Sequence, residues 1–215
     1  MHRTRTRIKI CGLTREADVV DAVEAGADAV GFVLWPGSPR HVSLDRAVQL
    51  ALQLPPFVTP VLLLVDPTVD AVSTAVAALP QALLQFHGDE SPESCRVSAS
   101  GHPWLRAARM RPGLDLLDFA ANHHGAKALL LDAHVESYGG SGKVFDWSLI
   151  PTSVPIPLVL SGGLHPANVS EGIQRVRPWA VDVSSGVEVG KGIKDAELMR
   201  RFCQAVRDTD AGLDS

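Results

Sequence analysis

Four features of this 215-residue chain stand where they could do chemistry: a cysteine, an aspartate, an arginine and paired small residues. Cys11 ends the apolar run of "IKICG", Asp132 stands near the end of "AKALLLDA", and Arg40 closes the proline-flanked "WPGSPR". "LSGG" and "VDVSSG" place small residues after two late apolar runs. A thiolate is a competent base once its pKa falls from about 8.5 toward neutrality, and a partly desolvated carboxylic acid can hold and donate a proton. An acid facing a base, with no metal-ligand cluster between them, suits proton-shuffling chemistry such as an isomerisation. The planar fork of Arg40, on a loop stiffened by Pro36 and Pro39, suits a carboxylate ligand. Gly162, Gly163, Ser185 and Gly186 let backbone N–H groups approach an anion, which favours phosphate. Each residue also has a plainer account: packing for the cysteine, a helix cap for the aspartate, a solvated surface group for the arginine, a tight turn for each glycine pair.

The elements that must position these residues decide between the two accounts. Eight short apolar runs recur along the chain: "IKICG", "AVGFVLW", "PVLLLVD", "ALLQFHG", "WLRAARM", "AKALLLDA", "PLVLSGG" and "WAVDVSSG". Their composition and the turn residues around them predict strands buried on both faces, as parallel strands covered by helices must be. Between most of them lies helical spacing. In "TREADVVDAVEAG" the residues Ala17, Val20, Val23 and Ala25 fall near one face and Gly26 supplies a stop. "SLDRAVQLALQL", "DPTVDAVSTAVAAL", "HPANVSEGIQRV" and "KDAELMRRFCQAV" read the same way. Strand starts recur roughly every 20 to 30 residues, the length of one βα unit. The pattern predicts a single (β/α)8 TIM barrel with parallel strands over residues 1–215, frayed at 1–6 and 208–215. "HVESYGGSGKVFDWSLIPTSV" breaks the beat and predicts an irregular loop with a short helix. Neither a GxGxxG fingerprint nor a Walker A sequence is present, which weakens an open-sheet alternative.

A barrel gathers reactive groups at the C-terminal ends of its strands. Cys11 and Asp132 then flank the mouth from strands one and six. His87, in "QFHGDE", either positions substrate or is structural. Asp66, in "VDPT", reads as the start of the third helix with Pro67 in its first turn. Asp182 lies inside strand eight, where an inward carboxylate needs a partner, and reads as a supporting residue. Cys95 and Cys203 fall in predicted helices and read as packing.

The formal net charge is −4 with both signs interspersed, so no basic face offers itself to nucleic acid or anionic lipid. A small-molecule partner is the default. Three cysteines, odd in number and without CxxC spacing, argue against a disulfide framework or a zinc site. No run of apolar residues is long enough for a signal peptide or a membrane helix, and a cytoplasmic protein is the expectation.

Taken together, "KICGLT", "GFVLWPGSPR", "LQFHGDES", "LLLDA", "GGSGKVFDW", "LSGGLHPANV" and "VDVSSGVEVGKGIKD" resemble the phosphoribosylanthranilate isomerase family of tryptophan biosynthesis, in the family's order and over nearly the whole chain. Departures are small: Phe86, Ser161 and Ser141 stand where the family commonly has leucine, alanine and threonine. The resemblance implies that Cys11 is the general base and Asp132 the general acid, that Arg40 meets the anthranilate carboxylate, and that the turns carrying Gly162, Gly163, Ser184, Ser185 and Gly186 hold the phosphate. His87 and Asp182 join the candidate substrate-binding residues on their positions at and near the strand ends alone. The implied reaction is an Amadori rearrangement of a phosphorylated small molecule, needing no metal and no cofactor, by a monomer or homodimer. Related histidine-pathway or dual-substrate isomerase barrels commonly carry aspartate where Cys11 stands. A non-catalytic phosphate-binding barrel would have no use for both proton-transfer groups.

Overall fold

Strand β1 (Arg7–Cys11) pairs in parallel with both β2 (Ala29–Val33) and β8 (Ala180–Val183), and this double pairing closes the sheet on itself. The computed structural model describes residues 5–111, 113–133 and 145–213. Between β2 and β8 lie β3 (Thr59–Leu64), β4 (Leu83–Phe86), β5 (Trp104–Met110), β6 (Ala128–Ala133) and β7 (Leu158–Leu160), each hydrogen-bonded to the next in chain order. Helices α1 (Glu16–Ala25), α2 (Leu44–Ala51), α3 (Val69–Ala78), α4 (Pro92–Ala99), α5 (Leu116–Asn122), α6 (Val169–Val176) and α7 (Ala196–Leu213) alternate with them. The chain is a (β/α)8 TIM barrel, with each strand on one of the eight apolar runs; β1 and β3 begin one residue ahead of theirs, at Arg7 and Thr59.

Capping starts several helices where the chain leaves the rim. The side chains of Ser43, Thr68, Ser91 and Asp115 accept from backbone N–H groups in the first turns of α2, α3, α4 and α5. Thr68 therefore caps α3. Asp66 stands outside the helix with φ 46° and accepts from the Asp89 N–H at 2.7 Å, which corrects its reading as the helix start. The buried face of α1 also differs from the predicted one. Asp18, Val19, Ala22 and Ala25 are covered while Ala17 and Val20 face outward. Asp18 can be buried because Arg15 pairs with it and the Lys194 N–H donates to it.

Alternation along the strands sorts the interior. Ile8, Ile10, Val181 and Val183 point outward into the layer beneath the helices, leaving Lys9, Cys11 and Asp182 to point into the barrel. The base of the interior is apolar, built from Leu105, Ala107, Ala128, Leu130, Val159 and Ala180. Lys9, Gln85, Ser161 and Asp182 are also buried.

Two regions depart from the regular beat. Between β6 and β7 the described residues hold a single 3₁₀ turn, Trp147–Leu149; the glycine-rich loop with Gly139, Ser141 and Gly142 lies outside the described residues. After β8 the chain makes a 3₁₀ turn (Ser185–Val187) and a short antiparallel pair, β9 (Glu188–Gly190) with β10 (Ile193–Lys194), which the strand pattern did not predict. The C-terminal segment expected to fray is helical as far as Leu213. Asp210 accepts from the Thr6 N–H and, at 2.8 Å, from its hydroxyl, so the last helix ties down the residues just before β1. Among the described residues no helix is long and apolar enough to cross a membrane.

Candidate active site

The barrel mouth holds an open cavity, which Cys11, Arg40, His87, Asp132, Gly162, Gly163, Asp182, Ser184 and Ser185 all help to line. Nine of the ten sequence-predicted site residues therefore meet at one place. The tenth, Gly186, lies just outside, in a groove shared with Gly163 and Ser185. One wall is apolar: Val33, Trp35, Leu63 and Val65 pack around Cys11 at the ends of β1, β2 and β3. Such a wall suits an aromatic or aliphatic group, and the opposite wall, carrying the turns after β7 and β8, suits a polar one.

Cys11 is 5% exposed. Burial pushes its thiol above the usual value, Lys9 and Lys194 draw it down, and Asp182 pushes it up. Asp182 finds the partner its position demands, since Lys9 Nζ donates to its Oδ1 at 2.7 Å and Ser161 Oγ donates to Oδ2 at 3.1 Å. Across the mouth, Asp132 Oδ1 accepts from the Ala133 N–H at 2.9 Å, and His87 Nε2 lies 3.1 Å from Oδ2. Gln85 Nε2 stands 3.0 Å from His87 Nδ1. With the amide donating, Nδ1 is the bare nitrogen and the imidazole presents Nε2–H to the carboxylate. The loop bearing His87 is braced from below, because Arg106 on β5 pairs with Glu90 at 2.8 Å and donates to the carbonyls of Phe86, Gly88 and Glu90.

Arg40 is 6% exposed, and its Nε and Nη2 donate to the two oxygens of Glu188 at 2.8 and 2.7 Å. Lys194 Nζ also donates to Glu188 at 2.7 Å. Burial disfavours the Glu188 carboxylate, but Arg40 and Lys194 outweigh it and hold the group below its ordinary value. The arginine is thus a fixed, partly neutralised cation at the rim rather than a free clamp.

The glycines serve close packing as well as access. A Cβ on Gly162, where φ is 77°, would lie 2.4 Å from the Ala133 nitrogen and 3.0 Å from Asp132 Oδ1. On Gly186 it would lie 1.9 Å from the Leu164 carbonyl oxygen. The turns after β7 and β8 therefore touch, and Gly162 abuts Asp132.

Sequence reasoning missed Lys9, Gln85, Arg106, Glu188 and Lys194. For Lys9 a signal existed: in "RIKIC" it stands two residues before Cys11, hence on the same face of the strand. The same spacing holds for Gln85, two residues before His87, whereas Arg106, Glu188 and Lys194 are joined to the site by contacts that sequence spacing does not reveal.

Fold and rim together define a (β/α)8-barrel enzyme that works at the C-terminal mouth. The family model described as N-(5'phosphoribosyl)anthranilate (PRA) isomerase matches residues 8–205. An N-(5'-phosphoribosyl)anthranilate isomerase from Leptothrix cholodnii is 68% identical over 207 residues, covering 96% of this chain and 93% of that protein. The crystal structure of phosphoribosyl anthranilate isomerase from Thermotoga maritima superposes with a TM-score of 0.87 at 40% identity, covering 94% of this chain and 99% of that one. A further crystal structure, of the isomerase in complex with reduced 1-(o-carboxyphenylamino)-1-deoxyribulose 5-phosphate, gives a TM-score of 0.82 at 38% identity with the same coverage. The chain belongs to the N-(5'-phosphoribosyl)anthranilate isomerase family.

Proposed function

We propose that this protein converts N-(5'-phosphoribosyl)anthranilate into 1-(2-carboxyphenylamino)-1-deoxyribulose 5-phosphate in tryptophan biosynthesis, with Cys11 as general base and Asp132 as general acid. The observation that carries this reading is that a thiol on β1 and a carboxyl on β6, non-adjacent strands, line one cavity. The complex of the related isomerase with a reduced product supports the substrate class.

Asp132 protonates the furanose ring oxygen as its bond to C1 breaks, which leaves an open-chain Schiff base. The Cys11 thiolate then takes the proton from C2, and the electron pair of that C–H bond moves toward the nitrogen to give the enol, which tautomerises to the ketose. Gly162, Gly163, Ser184, Ser185 and Gly186 hold the phosphate through backbone and hydroxyl donors. Asp182 borders the ribose, His87 holds Asp132 in place, and Arg40 meets the anthranilate carboxylate beside the apolar wall. The protein acts in the cytoplasm as a monomer or homodimer.

The test is the fluorescence of freshly prepared phosphoribosylanthranilate, which purified protein should abolish at a rate proportional to enzyme concentration. No change in that signal, with folded protein, overturns the reading. Incubation with the histidine-pathway aminoaldose, with its conversion to the ketose followed by chromatography, separates this isomerase from a dual-substrate one.

A further inference from the structure

The barrel floor is packed with leucine, alanine and valine, yet one charge pair stands above it: Lys9 on β1 and Asp182 on β8, with side chains 5% and 7% exposed. A buried pair of this kind adds little or no stability over apolar residues of similar volume, so stability does not explain it. Its surroundings do. Lys9 and Cys11 share the inward face of β1, and the residue paired with Cys11 on β2 is Gly31. A Cβ on Gly31 would lie 2.6 Å from Cys11 Sγ and 3.1 Å from Lys9 Nζ, so the sulfur and the ammonium crowd the space that a side chain there would fill. The ammonium donates to Asp182 at 2.7 Å and shares with the Cys11 sulfur the space beside Gly31, close enough for the two charges to act on each other. Ser161 fixes the far oxygen of the carboxylate, so Asp182 is itself held in place as it anchors Lys9.

We propose that Lys9 is the buried counter-ion of the Cys11 thiolate, a positioning residue that Asp182 anchors and for which Gly31 makes room. The inference rests on the reading of Cys11 as base and names the group that makes a thiolate sustainable in a buried place. The remaining charges around the sulfur are Lys194 from β10 and Arg40 from the loop after β2, both sharing Glu188, with Asp132 and His87 across the mouth. Of these cations Lys9 draws the thiol down most strongly. Burial raises the thiol, Lys9 lowers it, and Asp182 raises it, so the two members of the pair act on Cys11 in opposite directions.

That opposition supplies the test. Alkylation of Cys11 by iodoacetamide, followed by peptide mass spectrometry across pH on the full chain, reads the thiol directly. Asp182→Asn should move the alkylation midpoint below that of the wild type. Lys9→Met combined with Asp182→Asn should move it above that of Asp182→Asn by about one pH unit or more, a tenfold loss of thiolate at any pH below both midpoints. Neither variant strands a buried carboxylate, and they differ at residue 9 alone, in the ammonium with its charge and N–H donors. The acid limb of kcat should follow the same order, while KM should differ little between the two. Equal midpoints in both folded variants overturn the assignment. Should the double variant fail to fold, a midpoint raised or unmoved by Asp182→Asn alone overturns it. A shifted midpoint together with near-wild-type kcat in Cys11→Ser would keep Lys9 as counter-ion and overturn the base; an inactive Cys11→Ser with unmoved midpoints would do the reverse.

Discussion

The two sides of the mouth handle a proton in different surroundings. On the β1–β8 side the thiol is buried, and the neighbouring Lys9–Asp182 pair is 5% and 7% exposed at its side chains. On the β4–β6 side the His87 and Asp132 side chains are 18% and 22% exposed. Fixed charges act on the Cys11 thiol in a site that solvent reaches poorly, whereas the Asp132 carboxyl is oriented by hydrogen bonds and stays within reach of water. A base that must be anionic and an acid that must carry a proton have opposite needs. In the proposed scheme the barrel meets them by placing Cys11 and Asp132 on different strands with different neighbours.

The largest expected effect comes from removing the buried side. Cys11→Ser keeps the size but offers a hydroxyl too weakly acidic to act near neutrality, so kcat should fall by roughly two to four orders of magnitude with little change in KM. Steady-state kinetics that returned near-wild-type kcat would sink the acid–base scheme. Because the Cys11 thiol lies above its usual value, its thiolate fraction falls with falling pH, and wild-type kcat should fall with it, up to about tenfold per unit.

On the open side, Asp132→Asn keeps the shape and removes the transferable proton, with an expected loss in kcat of roughly two to three orders. The acid limb of its pH profile should stay where the wild type has it, because that limb belongs to the thiol. Combined with Cys11→Ser, the losses should fall well short of multiplying, since both groups serve one multistep reaction. Fully multiplicative losses would mean that the two sides act independently.

Arg40→Ala removes a charge-assisted contact worth roughly 1.5 to 3 kcal/mol, so kcat/KM should fall about ten- to a hundredfold, mostly through KM. Arg40→Lys should recover part of this, limited because an ammonium cannot span both oxygens of Glu188 as the fork does. Unaltered kinetics in Arg40→Ala would take the residue out of the site. The smallest effect is expected for His87→Asn, which loses one hydrogen bond to a partly exposed carboxyl. A drop in kcat of roughly three- to tenfold with KM nearly unchanged would fit that orienting role. A loss as large as that of Asp132→Asn would instead make His87 part of the proton transfer.

Most of the fold was legible before any coordinates, because strands buried on both faces leave continuous apolar runs and a βα unit has a characteristic length. The interruption between β6 and β7 was legible for the same reason, as a stretch without helical period. Helix faces were less so. The burial of Asp18 in place of Ala17 depends on Arg15 and on the backbone of Lys194, which is 176 residues away. The candidate site divides along the same line. The sequence alone was enough to point to Cys11, Asp132, Arg40 and the late glycines, because each lies at a strand end or in a rim turn, and strand ends can be read from local pattern. Only the tertiary structure could join Lys9 to Asp182 across 173 residues, Arg40 to Glu188 across 148, and His87 to Asp132 across 45. Closing the sheet makes β1 and β8 neighbours, and the β9–β10 pair brings Glu188 and Lys194 together beside Arg40. Side-chain partners set by barrel closure leave no periodic trace in the chain, so the charges that tune each group were decided in three dimensions.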